Sequence, residues 1–271
     1  GRLRELRARR RSGPKKKRKR MLVGVLGCMA ERLKEDLLKD GMADIVVGPD
    51  AYRDLPRLIQ DVWSEDIPVE QAVNVQLSVD ETYADITPVR RNADDVSAFV
   101  SIQRGCANRC SFCIVPFTRG QERSRSMESI VEEIRRLVGE EDLKEVTLLG
   151  QNVNSYHDTG ESALAARPSS EYTMSNEGFK SRIRRVDGGY YFADLLANVS
   201  DLTPELRVRF TSPHPKDYPA ALLDLMSERH NICNQLHMPA QSGSTTMLRR
   251  MKRGYSRDAY LDLVLNEVLP R

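Results

Sequence analysis

From Ser97 to the end of the chain, short apolar runs alternate with stretches of helical periodicity, and this alternation limits the possible fold more than any other feature. Residues 99–102 (FVSI) read as a strand. Ile130, Ile134, Leu137 and Val138 then mark one helix face by their i, i+4, i+7, i+8 spacing. Residues 145–149, 207–211 and 234–238 read as further strands. Residues 192–199, 220–226 and two closing stretches read as helices. Four such β/α units predict a parallel sheet curled into a barrel or partial barrel, with its chemistry at the C-terminal ends of the strands.

The first sixty residues carry a smaller version of the same pattern. Residues 22–26 (LVGVL) and 43–47 (ADIVV) read as strands. Between them MAERLKEDLLKDG predicts one helix with Leu33, Leu37 and Leu38 on a single face, stopped by Gly41. A short helix is expected over 55–63. The next thirty or so residues lack clear periodicity, and 65–96 is read as a linker between domains. Residues 158–189, rich in Ser, Glu and Arg, read as a surface insertion.

Charge is distributed unevenly. The chain of 271 residues has a net charge of +3, yet residues 1–20 hold twelve Lys/Arg against the single acid Glu5. The remainder is therefore acidic, with 30 Lys/Arg and 38 Asp/Glu. The run PKKKRKR (14–20) suits nucleic-acid phosphates, a nuclear-import receptor, or simply a solvated basic loop. Mean hydropathy is −0.50, and no window approaches 18 consecutive apolar residues, which excludes a helical membrane span. Targeting cannot be read from an N-terminus that begins with Gly1.

Five cysteines, an odd number, argue against a disulfide framework and for a reducing compartment. Three of them, Cys106, Cys110 and Cys113, lie in RGCANRCSFC with the spacing C-x3-C-x2-C, directly after the 99–102 strand. A structural zinc needs a fourth ligand that this stretch does not supply. Three thiolates on a four-iron, four-sulfur cluster would instead leave one iron free for a small molecule. The iron–sulfur reading is favoured, with zinc and incidental cysteines as alternatives. Phe112, just before the third cysteine, either packs against a cofactor or fills the loop.

At these residues the chain resembles the radical S-adenosylmethionine (SAM) enzymes, and among them the tRNA methylthiotransferases. The resemblance rests on GCMAERLKE, QRGCANRCSFCIVPFTRGQERSR, LLGQNVNSY, RFTSPHPKD, HMPAQSGS and MKRGYSR, and covers most of residues 21–262. The wording of AERLKE, TSPHPKD and PAQSGS, with the insertion after NSY, is similar to the eukaryotic mitochondrial branch. The resemblance implies an α/β fold. A partial parallel-sheet N-terminal methylthiotransferase domain (1–64) would precede the linker, and an incomplete radical-SAM β/α barrel (97–271) would follow it. It also implies that Cys106, Cys110 and Cys113 hold the radical [4Fe-4S] cluster. Cys28 would be one of three ligands of an auxiliary [4Fe-4S] cluster, the other two being upstream in the family and absent here. Cys233 is read as a buried structural cysteine.

Family chemistry implies two SAM molecules. One methylates a sulfur at the auxiliary cluster; the other is cleaved to a radical that takes hydrogen from C2 of N6-isopentenyladenosine beside the tRNA anticodon, after which methylthio is inserted. Candidate cofactor contacts at strand ends are Gln151, Asn152, Ser212, Gln241 and Ser242, each of which also reads as a turn or capping residue. Arg104 and Arg119 reach either tRNA phosphate or surface acids, and His214 and His237 read as structural. The implied partners are tRNA and an electron donor, and the implied location is mitochondrial. The chain is expected to be truncated at both ends and, alone, unable to complete the reaction. Two other classes remain open: a non-catalytic regulatory protein that binds a kinase activator, as the name of that branch suggests, and a zinc-containing nucleic-acid binder.

Overall fold

The computed structural model describes residues 22–39, 41–64, 71–75, 77, 95–166, 178–180 and 188–271. The basic run at 14–20 and most of 158–189 lie outside the described residues. The chain divides into two compact units: residues up to 79 with 117–120, and residues 80–116 with 121–271.

In the first unit β1 (Gly24–Leu26) leads through two short helices, α1 (Cys28–Leu33) and α2 (Asp36–Lys39), to β2 (Ile45–Val47). Helix α3 (Leu55–Trp63) then leads to β3 (Ala72–Asn74). The strands form a parallel sheet in the order β1-β2-β3, with Val46 opposite both Val25 and Val73. Successive side chains on a strand point to opposite faces. Ile45 and Val47 accordingly pack with Leu58 and Val62 of α3, while Val46 packs with Ala30 and Leu37. A central parallel strand covered on both faces needs apolar residues at every position, which is why this one reads Ile-Val-Val.

Two expectations need correction in this unit. The single helix over 29–40 is instead two, broken where Lys34 takes a left-handed φ of 47°. The break leaves Leu33 38% exposed while Leu37 is buried against Val46, so the three leucines do not share one face. The second correction concerns 65–96, read as a linker, which contributes β3. That strand is three residues long, with Ala72 buried and Val73 exposed at the sheet edge. It is too short to give a periodic signal.

In the second unit the repeat is β4 (Ser97–Ser101), α4 (Met127–Glu141), β5 (Glu145–Leu149), α5 (Phe192–Ser200), β6 (Arg207–Phe210) and α6 (Ala220–Glu228). Then come α7 (Thr245–Arg250) and α8 (Arg257–Asp262), which continues into a π-helical turn over Leu263–Val268. The sheet is parallel in the order β6-β5-β4, with Val146 opposite both Ala98 and Val208. The α/β class and parallel sheet expected from sequence are therefore present. The core joins Val100, Val146, Leu148 and Val208 of the sheet to Ile130 and Ile134 of α4, Leu195 and Leu196 of α5, and Leu222 of α6. Each such side chain contributes about 1.5–3 kcal/mol when fully buried, so burial rather than helix propensity fixes the helices on the sheet. Serines at 126, 244 and 256 cap α4, α7 and α8 by accepting a backbone N–H of the first turn.

The fourth strand, expected over 234–238, forms no ladder among the described residues. Backbone contact with β6 is confined to a parallel bridge between Val208 and Ile232, where Val208 N–H donates to Asn231 O and Cys233 N–H to Val208 O. Beyond that point side chains take over. Arg209 donates to Gln235 Oε1 at 2.6 Å, and the Thr211 hydroxyl lies 3.3 Å from His237 Nδ1. The segment follows β6 in parallel, but polar side-chain bridges replace the backbone ladder.

Candidate functional site: a cysteine loop at the strand ends

The cysteine loop is an excursion whose base is tied to the sheet. After β4, Gln103 and Arg104 pair antiparallel with Ser124 and Arg123, so residues 105–122 form the excursion between two short hydrogen-bonded arms. Gly105 begins it at φ 74°, a conformation that glycine adopts without strain. Its N–H donates to Gln151 Oε1 at 2.6 Å, while Gln103 Nε2 donates to Asn152 O at 2.6 Å. Ser155 ties the far arm by donating to Glu122 at 2.6 Å. Gln151 and Asn152 thus stand at the end of β5 directly beside the loop.

Asn152 is buried and committed beneath the loop. Its Nδ2 donates to Asp217 at 3.1 Å, and its Oδ1 is a buried acceptor with no partner among the described residues. Ser212 and Gln241, from the ends of β6 and of the segment after Met238, both hold left-handed backbone, at φ 63° and 68°. Such a conformation costs a non-glycine residue on the order of 1 kcal/mol, and strain of this kind clusters at functional sites. Ser242 Oγ accepts from Ser244 N–H, so that hydroxyl shapes the turn before α7. Phe112 is 54% exposed, and this leaves its ring available above the loop.

The three thiols differ in environment. Cys106 is 8% exposed, and burial above all pushes its thiol up to about 11. Cys110 and Cys113 are partly exposed and close a turn, with Cys113 N–H donating to Cys110 O at 3.1 Å. Arg253 Nη1 donates to Cys110 Sγ at 3.2 Å, and its Nε donates to the Tyr255 hydroxyl, which in turn donates to Ala240 O. Burial works against the Arg253 charge, but the hydrogen bond to Tyr255 and the charges at Tyr255 and Cys110 outweigh it and hold the guanidinium above its usual range. Ser111 fastens the loop to the same segment, its N–H to Met251 O and its hydroxyl to Arg250 O.

Individual residues of MKRGYSR carry no role that sequence alone assigns, and Arg253 and Tyr255 are the principal site residues missed. The sequence offers no local signal for them, because Arg253 reaches Cys110 across 143 positions. Behind them His214 packs edge-on to Tyr255, accepts from Lys216 N–H and is pushed down to about 3, first by burial and next by Arg253. It is a neutral structural histidine, as expected. Lys216 and Asp217 form a buried ion pair at 2.7 Å. In the first unit, Cys28 opens α1 after Gly27 at φ 95°, and Arg119 Nε donates to its sulfur at 3.1 Å. Cys233 is buried with Arg207 at 3.6 Å from its sulfur, in keeping with a structural cysteine.

Among the described residues, no three His, Cys, Asp or Glu side chains converge as ligands of a single metal ion. A mononuclear zinc has no ligand set of that size here. A cluster makes a different demand, since each thiolate binds a different iron and the sulfurs need not meet at one point. Three thiols on one loop, with no fourth cysteine near them in sequence, fit a cluster with one open iron.

The chain is similar to proteins of known class. Residues 100–266 match the model of the radical SAM superfamily, a span that begins in β4 and runs past α8. It is 55% identical over 251 residues to the rat mitochondrial tRNA methylthiotransferase CDK5RAP1 and 57% identical to a CDK5RAP1-like protein of rice. It is 49% identical over 245 residues to the tRNA-2-methylthio-N(6)-dimethylallyladenosine synthase of Porphyromonas gingivalis. These alignments cover 90–92% of this chain and 41–46% of the relatives, so the chain spans under half the length of the proteins it matches. A solved radical SAM methyltransferase, TsrM of Kitasatospora setae, aligns over 64% of this chain and 29% of its own length at 15% identity and a TM-score of 0.43, too distant to support a detail. On the match that spans the cysteine loop and the sheet, this chain belongs to the radical SAM superfamily.

Proposed function

We propose that the chain acts as a tRNA methylthiotransferase of the kind that converts N6-isopentenyladenosine next to the anticodon to its 2-methylthio derivative. The observation that carries this reading is the cysteine triad on the loop leaving the first strand of a parallel sheet, in a chain 49–57% identical to relatives bearing that name or its close variants. Cys106, Cys110 and Cys113 hold a [4Fe-4S] cluster, and Cys28 contributes to a second, auxiliary one. When bound, the cluster and SAM supply one-electron cleavage of the sulfonium and hydrogen-atom abstraction.

The residues of the chain bind and orient. Gln151 fixes the start of the cysteine loop by accepting from Gly105, and Arg253 places a positive charge against the Cys110 sulfur. A hydrogen bond from a charged donor is stronger than one between neutral groups, so this contact fixes the position of the Cys110 sulfur on the loop. Phe112, Ser212, Gln241 and Ser242 are the further residues assigned to holding the cofactor. An electron donor is required as a partner, and the names of the mammalian relatives support a mitochondrial location.

The test is isotopic. The anaerobically reconstituted protein is given SAM, dithionite and an anticodon stem-loop RNA whose isopentenyladenosine carries deuterium at C2. Deuterium recovered in 5′-deoxyadenosine supports the substrate and the site of attack. Abundant 5′-deoxyadenosine without deuterium leaves the radical chemistry and rules out this nucleoside.

A further inference from the structure

A cleft of about 780 Å³ opens in the second unit beside the cysteine loop. Arg109, from within that loop, lines it together with Lys180, Arg249, Lys252 and Arg253, and among the described residues no carboxylate lines it. Arg253 is buried and engaged with Cys110 and Tyr255, whereas Arg109, Lys180, Arg249 and Lys252 are exposed. Among the described residues none of these four makes an ion pair. Elsewhere on the same unit several surface cations are matched to acids: Arg135 with Glu132, Lys144 with Asp142, Arg209 with Glu145, and Arg229 with Asp201. Beyond its first twenty residues the chain carries more acids than bases, so four unmatched cations in one cleft are a local inversion of its charge.

The end of α7 is shaped to present them. Lys252 holds φ 57° in the turn after the helix, its N–H donating to Arg249 O, while Arg253 N–H donates to Leu248 O. Helices favour glycine at such a left-handed cap, and a lysine there costs on the order of 1 kcal/mol. SAM does not account for the charge. Its sulfonium, ammonium and carboxylate sum to +1, and a cleft whose described lining holds five cations and no carboxylate opposes a net cation. A chain of phosphodiesters, each carrying −1, matches it.

We propose that this cleft holds the phosphodiester backbone of the RNA strand that carries the target nucleoside, with Arg109, Arg249 and Lys252 as its phosphate contacts. The inference rests on the tRNA reading above and adds the surface that seats the strand beside the cysteine loop. Phosphate contacts of this type position a strand without reading its sequence, so the effect is a uniform loss of affinity.

The experiment uses the full chain with the six basic residues at 15–20 changed to Gln, so that the basic run does not dominate binding. A fluorescently labelled anticodon stem-loop RNA is titrated by anisotropy across a salt series. The triple variant Arg109→Gln/Arg249→Gln/Lys252→Gln is compared with the parent and with Arg135→Gln/Arg136→Gln on α4, and thermal melting establishes that each is folded. The triple variant is expected to bind about tenfold or more weakly. The slope of log K against log salt should become shallower by about 0.7 for each phosphate no longer neutralised, and the α4 variant should stay within about twofold of the parent. Equal binding by a folded triple variant and its parent overturns the cleft while leaving the tRNA reading intact. A parent that binds no stem-loop RNA overturns the tRNA reading, and the inference with it.

Discussion

Both units place a cysteine after a left-handed glycine at the C-terminal end of their first strand: Gly27–Cys28 after β1 and Gly105–Cys106 after β4. From that shared start they diverge. In the first unit Cys28 enters a helix at once and is the only cysteine of its unit. In the second the chain runs on from Cys106 into a loop before any helix, and this brings in Cys110 and Cys113. A parallel sheet offers a ligand site at its strand ends in either case, and the length of the following loop decides how many ligands one strand end can supply.

The largest difference between the two junctions should appear in iron content. Cys106→Ser is expected to abolish the cluster of the second unit and, with it, all detectable 5′-deoxyadenosine from SAM and dithionite. Cys28→Ser should leave that product within about twofold of the parent. Equal loss in both variants would mean that the two junctions do not hold separate clusters.

Packing separates the two regions next. Leu195, fully buried in the core of the second unit, is expected to cost about 2–5 kcal/mol when changed to Ala, read as a lower denaturation midpoint for that unit. Val46, centred in the smaller two-faced core of the first unit, should cost less as Val46→Ala, because fewer carbon atoms are removed. A larger effect at Val46 would make the small sheet the more tightly packed of the two.

A pH dependence is specific to the second unit. His214 is held at about 3 in the fold, below its ordinary 6.5, so folding disfavours its protonation. Its contribution is fully present above about 6.5 and is lost as pH falls from there toward 3. One pH unit within that window is worth at most about 1.4 kcal/mol. The stability of the second unit should therefore fall between pH 6 and pH 4, with a shallower slope in His214→Asn. An unchanged slope would remove His214 as the cause.

The smallest effect concerns helix starts. Ser126 caps α4, and Ser126→Ala should cost about 1 kcal/mol in a chemical melt, whereas α1 follows Gly27, which offers no side-chain cap to lose. A null result would assign the start of α4 to burial of Ile130 and Ile134 alone.

Much of the second unit is legible because its signals are local. The spacing of Ile130, Ile134 and Leu137 marks α4, and the run over 145–149 coincides with β5. What could not be read depends on contacts distant in sequence. β3 is an edge strand defined by its pairing with β2. The segment 234–238 has strand-like residues but meets β6 through Arg209, Gln235, Thr211 and His237 rather than through its backbone. At the site, the cysteine spacing is visible in eight residues. The Arg253–Cys110 contact and the cations of the cleft become neighbours only when α7 folds back to the loop, and no periodicity encodes that.

The most direct measurement is the electron paramagnetic resonance spectrum of the reduced, reconstituted protein before and after SAM is added. Three thiolates with one open iron should give a reduced [4Fe-4S] signal that changes shape when SAM binds, and Cys110→Ser should remove it. A signal indifferent to SAM, or a SAM-responsive signal retained without Cys110, would contradict the assignment of the cysteine loop as the radical centre.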